Sequence, residues 1–275
     1  MEPLTVSQHP RKSNLGKWIY PVNSRRAGGL SLGINLNGDQ RCTFDCSYCQ
    51  VERKLPSQLE NPPVQLLLNE VRVFLTEYVK AGHWHEMQLK DIALAGDGEP
   101  TLFPELHRLM EGLVALKKEL ALDCRLVLFT NGSNLHRPDL QELWPRFFAA
   151  QGEVWAKLDF WDQESFQRIN GKTLDHQSIL DNLLHLGTQH PLTLQACFFK
   201  TRPDQGPNLE EVAQWAVQFD RLVASGLKVD RIQAYTVARA PRDPQVLPYS
   251  DQEMEEIGND LCRLIGHRVE LFFSH

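Results

Sequence analysis

Three cysteines, Cys42, Cys46 and Cys49, stand at spacing C-x3-C-x2-C in the stretch RCTFDCSYCQVERK, residues 41–54. The chain has six cysteines in 275 residues, so chance would produce one such specified spacing about 0.003 times in a chain of this composition. Three soft thiolates suit zinc or an iron–sulfur cluster. Structural zinc takes four protein ligands, and no His or Cys follows at zinc-finger spacing; a remote residue such as His9 or His83 would have to complete the site. A [4Fe–4S] cluster on three thiolates leaves one iron without a protein ligand. Such an iron can take a small molecule through paired amino and carboxylate groups. Cys124, Cys197 and Cys262 are scattered singly and read as small buried residues. A disulfide framework is excluded, because those belong to small secreted chains.

Other residues suited to chemistry recur along the chain. In AGDGEP (95–100), Gly96 and Gly98 permit a close backbone approach. Asn131, in FTNGS, offers a donor and an acceptor at a strand end, and Asn-Gly is equally a turn signal. In EVWAKLDF (153–160), Trp155, Lys157 and Asp159 alternate onto one strand face. Two ionisable groups facing inward must pair or meet a ligand. Gln195 with Cys197, and Gln233 with Tyr235, share strand faces further on; Arg239 follows the second of these strands and suits a phosphate or carboxylate. Local basic residues are Arg11, Lys12, Lys17, Arg25, Arg26, Arg53 and Lys54, and the segment Gln50 to Lys54 is the first place to seek recognition of an anionic substrate.

These residues need a scaffold, and the chain reads as alternating strands and helices. Strands are expected at 29–36, 91–96, 125–132, 153–160, 192–200, 230–237 and 268–273. Helical periodicity appears at 66–82, 104–120, 137–148 (interrupted by Pro145), 175–189, 208–225 and 250–265. The alternation predicts an α/β fold with parallel strands and right-handed crossovers: about six βα units and a short C-terminal strand. An open or partial barrel and a doubly wound sheet both gather ligands at the C-terminal strand ends, where the cysteine loop, GDGEP, TNG and KLD all fall. The expected organisation is one domain over 1–275, with an N-terminal extension 1–28 and a core from about 29. No apolar run reaches the roughly 20 residues of a membrane span, and no secretory h-region is visible, so the expected location is the cytoplasm. The net charge of −6 does not support a broad nucleic-acid surface, though a local one stays open.

CTFDCSYC resembles the cysteine signature of radical S-adenosylmethionine (SAM) enzymes, including the aromatic Tyr48 before the last cysteine. SLGINL, CTFDCSYCQ, GDGEPTLFPEL, LFTNGS, KLDFWDQESFQRING and IQAYTVARAP are similar to the wyosine tRNA-base synthase-like branch, over roughly residues 30 to 240. The resemblance implies a partial (β/α)6 TIM-like barrel and one [4Fe–4S] cluster on Cys42, Cys46 and Cys49. It further implies reductive cleavage of SAM to a 5′-deoxyadenosyl radical that abstracts hydrogen from a substrate. It places Gly98 and Glu99 at the SAM amino group and Asn131 in the SAM or substrate pocket. Lys157 and Asp159, expected at the site from their shared strand face, could form an ion pair, bind the SAM carboxylate or ribose, or contact substrate. Asp97 stands where a small residue is expected. An external one-electron reductant, flavodoxin- or ferredoxin-like, is implied as partner. Residues 1–41 carry no cysteine, so the auxiliary cluster of the wyosine synthases, and with it their pyruvate-dependent tRNA reaction, is not carried over. The substrate is left as an RNA base, a peptide or a small metabolite. The alternative is a non-catalytic zinc or iron–sulfur protein serving structure or electron transfer.

Overall fold

A computed structural model describes residues 18–51, 61–83, 86–171 and 174–274. Arg11, Lys12, Lys17, Arg53 and Lys54 lie outside the described residues. The described chain forms two compact units interleaved in sequence. The first holds 18–42, 61–83, 86–130 and 137–154; the second holds 43–51, 131–136, 155–171 and 174–274.

In the first unit, β1 (Ile19–Ser24) and β2 (Gly29–Ile34) form an antiparallel hairpin. Gly28 turns it at φ 76°, a backbone state that favours glycine. Helix α1 (Val64–Ala81) leads to β3 (Leu89–Leu94), which pairs in parallel with β2, and α2 (Leu106–Glu119) leads to β4 (Arg125–Thr130), which pairs in parallel with β3. Helices α3 (Pro138–Gln141) and α4 (Trp144–Ala149) follow. Pro145 falls in the first turn of α4, where a missing N–H costs nothing; it opens a second helix rather than interrupting one. Strand β5 (Gly152–Lys157) begins in this unit and ends in the other.

The second unit contains α5 (Gln163–Asn170), α6 (His176–Gly187), β6 (Leu192–Cys197), the short β7 (Phe199–Lys200) and α7 (Leu209–Ala224). It continues through β8 (Val229–Tyr235), the short β9 (Leu247–Pro248), α8 (Asp251–Leu264) and β10 (Val269–Phe272). The end of β5, then β6, β8 and β10 pair in parallel in that order. β7 and β9 pair antiparallel. Every residue of β6 (LTLQAC) is buried, Thr193 and Gln195 included, as befits a central parallel strand covered on both faces. The Trp215 indole on α7 donates to the Leu158 carbonyl at 2.7 Å, so a large apolar group is buried with its one polar atom satisfied. Asp159 lies two residues beyond the end of β5, which is shorter than the sequence pattern suggests. Among the described residues, no helix is long and apolar enough to cross a membrane.

One buried carboxyl makes stability depend on pH. Asp91, on β3, is 1% exposed, and burial raises its pKa from 3.8 to about 6 against the pull of Ser31 and of Arg125, 3.7 Å away. The folded state therefore binds this proton more tightly than the unfolded chain. The ionised form opposes folding above the folded pKa, and the penalty disappears below the unfolded one. An Asp91→Asn variant should gain stability relative to wild type as pH rises, by about 1 kcal/mol between pH 5 and pH 8. Urea unfolding of both proteins at the two pH values checks this.

Candidate functional site

The loop that carries Cys46 and Cys49 is anchored by its own aromatics. Phe44 is buried against Phe166 (ring centroids 5.1 Å, edge-on), and Phe166 meets Phe160 at 4.8 Å. Tyr48 is buried beside Phe199. Backbone bonds fix the loop on two sides. Asp45 N donates to Asn170 O (2.8 Å) and Ser47 N to Ile169 O (2.9 Å), so loop amides satisfy carbonyls that the end of α5 leaves unpaired. From the segment after β8, Arg242 N donates to Cys49 O at 2.8 Å, and the Arg242 guanidinium pairs with Asp45 at the same distance.

Local sequence explains why α5 presents this end. A capping box of Asp162 and Ser165 starts the helix. Gly171 stops it at φ 61°, where a Cβ would come within 2.6 Å of the Asp45 carbonyl. Amide donors also reach the sulfurs: Asn170 Nδ2 to Cys46 Sγ at 3.2 Å, and Val51 N to Cys49 Sγ at 3.5 Å. Such donors stabilise negative sulfur and fit a thiolate-held cluster. Among the described residues, no three His, Cys, Asp or Glu side chains are gathered around one point as for a single ion; a four-iron cube instead spreads its thiolates over separate corners.

Lys157, at the end of β5, donates to the Tyr48 hydroxyl (2.7 Å) and to the Tyr235 hydroxyl (3.3 Å), with its ammonium 4.6 Å from the Tyr48 ring centroid. The Tyr48 hydroxyl donates to Asp159, whose other oxygen accepts from Cys197 N at 2.9 Å. Lysine and aspartate are thus bridged through a phenol. Burial, reinforced by Asp159, holds the Tyr48 proton on well above the usual phenol range. For Lys157, burial favours the neutral amine, but Tyr235, Asp159 and the Cys46 and Cys197 sulfurs outweigh it and keep the ammonium charged. Tyr48→Phe keeps the ring and deletes the bridge. It should cost about 1–3 kcal/mol, the usual price of stranding buried polar partners, in urea unfolding of the metal-free protein. A loss under about 0.5 kcal/mol, the range of neutral substitutions, would contradict the bridge.

In the first unit, GDGEP packs on the backbone just before Cys42. Glu99 N donates to Arg41 O (2.9 Å), and Asn37 Nδ2 donates to Glu99 O (3.2 Å). The Glu99 side chain is 2% exposed; its Oε1 accepts from Thr101 N, Thr101 Oγ1 and Thr130 Oγ1. The carboxylate is therefore fixed in one orientation. Asp97 accepts from Asn35 Nδ2 at 2.8 Å, which gives that residue a local partner. Asn131, in the second unit, bonds Thr43 Oγ1 at 2.8 Å and accepts from Ser133 N at 3.0 Å. It ties the start of the cysteine loop to the turn after β4.

The sequence matches the radical SAM superfamily over residues 37–191. The chain belongs to the radical SAM superfamily. Membership in that superfamily supports SAM-dependent radical chemistry in general. It is 27% identical over 263 residues to a protein named GTPase Obg from Brachyspira hyodysenteriae, covering 93% of this chain and 35% of that protein. It is 24% identical over 229 residues to a UPF0026 protein of Helicobacter pylori, covering 81% of this chain and 69% of that one. The chain thus spans about a third of the first relative's length. Among solved structures, TYW1 with a lysine-pyruvate adduct bound is similar in fold, with a TM-score of 0.57 at 15% identity over 92% of this chain and 86% of that one. The α/β partial TIM-like barrel implied by the sequence is that fold.

Within this radical SAM chain, the structure joins Tyr48, Lys157 and Asp159 in one network and sets Asn131 against the residue after Cys42. Arg239 reaches Gln50 at 3.4 Å. Arg26 lies over the Phe129 ring in the first unit. Sequence reasoning missed Asn37, Thr130, Asn170, Gly171 and Arg242. The signal for two of them was the Asn-Gly in FQRING, a helix-stop pair.

Proposed function

We propose that Cys42, Cys46 and Cys49 hold one [4Fe–4S] cluster and that the protein cleaves SAM reductively to abstract hydrogen from an RNA base, a peptide or a small metabolite. The observation that carries this reading is the cysteine loop itself, clamped by α5 and Arg242, with amide donors on two of its sulfurs. A cluster held by these cysteines would supply the one electron needed to cleave SAM reductively. The chain's own residues bind and orient. Gly98 lets GDGEP lie directly on the Arg41 carbonyl and Asn37, and Glu99 offers a carboxylate held in place for the SAM amino group. Lys157 carries its positive charge for the SAM carboxylate or an anionic substrate group. Asp159 and Tyr48 hold that lysine in place, and Asn131 keeps the loop in register. The electron comes from a flavodoxin- or ferredoxin-like partner, and a cytoplasmic setting suits both.

Anaerobic reconstitution tests the reading. About four irons and four sulfides per chain are expected, with 5′-deoxyadenosine released from SAM under strong reductant. Bound zinc, or a cluster that leaves SAM intact when reduced, would establish a non-catalytic metal–thiolate protein instead. Small molecules or RNA that copurify with wild type and not with a Cys49→Ala variant would identify the substrate class.

A further inference from the structure

Asn170 ends α5 and is fully buried. Its amide nitrogen faces two acceptors, Cys46 Sγ at 3.2 Å and Asp159 Oδ2 at 3.4 Å. Its amide oxygen has no hydrogen-bond partner. An acceptor stranded in the interior is costly, and a leucine of similar size would avoid that. Turning the amide over would set its oxygen against a sulfur and a carboxylate, both acceptors, so the chemistry fixes the nitrogen toward Cys46. The backbone is equally constrained. The Asn170 carbonyl accepts from Asp45 N, and Gly171 takes the left-handed turn that brings the loop close. A polar group kept at such expense, and aimed at one sulfur of the motif, calls for a role beyond packing.

We propose that Asn170 is a positioning residue that acts through Cys46: its N–H···S bond raises the reduction potential of the cluster. This rests on the cluster reading above. Reduction adds negative charge to the cluster and its thiolates, and a donor on a thiolate stabilises the reduced state more than the oxidised one. The last carbonyls of α5 would otherwise place the negative end of the helix beside the loop; Ser47 N and Asp45 N occupy them, and the Asn170 amide adds a donor at the sulfur. Asp159, fixed by Cys197 N and Tyr48, holds the amide in this orientation.

The test compares the full chain as wild type, Asn170→Leu and Gly171→Ala, each reconstituted anaerobically, with iron and sulfide counted and the cluster titrated electrochemically under EPR. Asn170→Leu should keep about four irons and lower the ratio of reduced to oxidised cluster at a fixed potential by about tenfold, equivalent to 59 mV for one electron. Gly171→Ala keeps the donor but forces a Cβ toward the Asp45 carbonyl, and should lower iron loading instead. A fully loaded Asn170→Leu protein with an unchanged potential overturns the inference. Wild type without a four-iron cluster overturns the cluster reading, a separate outcome. Should Asn170→Leu fail to load, wild-type protein labelled with 15N-asparagine decides the matter by pulsed EPR of the reduced cluster. A 15N coupling lost in Asn170→Asp supports the bond, and no asparagine coupling in wild type refutes it.

Discussion

Cys46→Ala should yield a folded chain that binds no four-iron cluster and releases 5′-deoxyadenosine only at background. Two thiolates cannot hold three corners of a cube, and nothing else in the loop is a soft ligand. The loop itself does not need the thiol. Phe44 and Tyr48 are buried on either side of Cys46, and Asp45, Ser47 and Cys49 are fixed through their backbone atoms. The metal-free variant should therefore melt within a few degrees of metal-free wild type, since the loss of one small buried side chain is worth about 1–2 kcal/mol.

The contrast with the solitary cysteines makes the experiment specific. Cys124 is buried, and burial pushes its thiol up to about 11, so it stays protonated and inert. Cys262 is exposed on α8. Cys124→Ser and Cys262→Ser should both retain iron, sulfide and SAM cleavage. Loss of the cluster in either, or a full cluster in Cys46→Ala, would require a different ligand set. Iron analysis, the visible absorption of the reconstituted protein and chromatography of SAM products give the three readouts.

What the sequence made legible was local. The spacing of Cys42, Cys46 and Cys49 lies within one loop, and β2 to β6, β8 and β10 announce themselves as short apolar runs between helical periods. Strand β1 was hidden because Pro21 interrupts its pattern. Proline lacks the ladder donor but is tolerated at a sheet edge, where β1 pairs on one side with β2. Helix α5 was hidden because eight residues give barely two turns of periodicity. The side-chain contact from this helix to the cysteine loop, Asn170 with Cys46, joins residues 124 apart in the chain. Lys157 and Asp159 could be placed on one face from alternation, but the phenol between them could not, since Tyr48 reaches them from a distant loop. Side-chain chemistry at close spacing is visible in a sequence; the partners that long-range packing brings to it are not.

Gly98→Ala should be among the most damaging single-methyl additions at the described glycines. An added Cβ would sit 2.2 Å from the Arg41 carbonyl and 2.6 and 2.8 Å from Asn37 Cβ and Cγ. The nearest of these atoms is a backbone carbonyl, which no side-chain rotation can move away. To relieve the clash, GDGEP must lift off residues 37–41. That breaks the Glu99 N to Arg41 O bond and the Asn37 Nδ2 to Glu99 O bond. Overpacking costs about 1–3 kcal/mol and each lost bond about 1 more, so Tm of the metal-free protein should fall by roughly 6–15 °C. Function should suffer twice, because Arg41 immediately precedes Cys42 and because Glu99 is the residue proposed for the SAM amino group. Cluster loading and SAM affinity, read separately by iron content and by equilibrium dialysis, should both drop. Gly266→Ala is the control, since its Cβ would meet nothing within 4 Å; it should leave stability within about 0.5 kcal/mol. Equal tolerance at both positions would mean that GDGEP does not pack against the approach to Cys42.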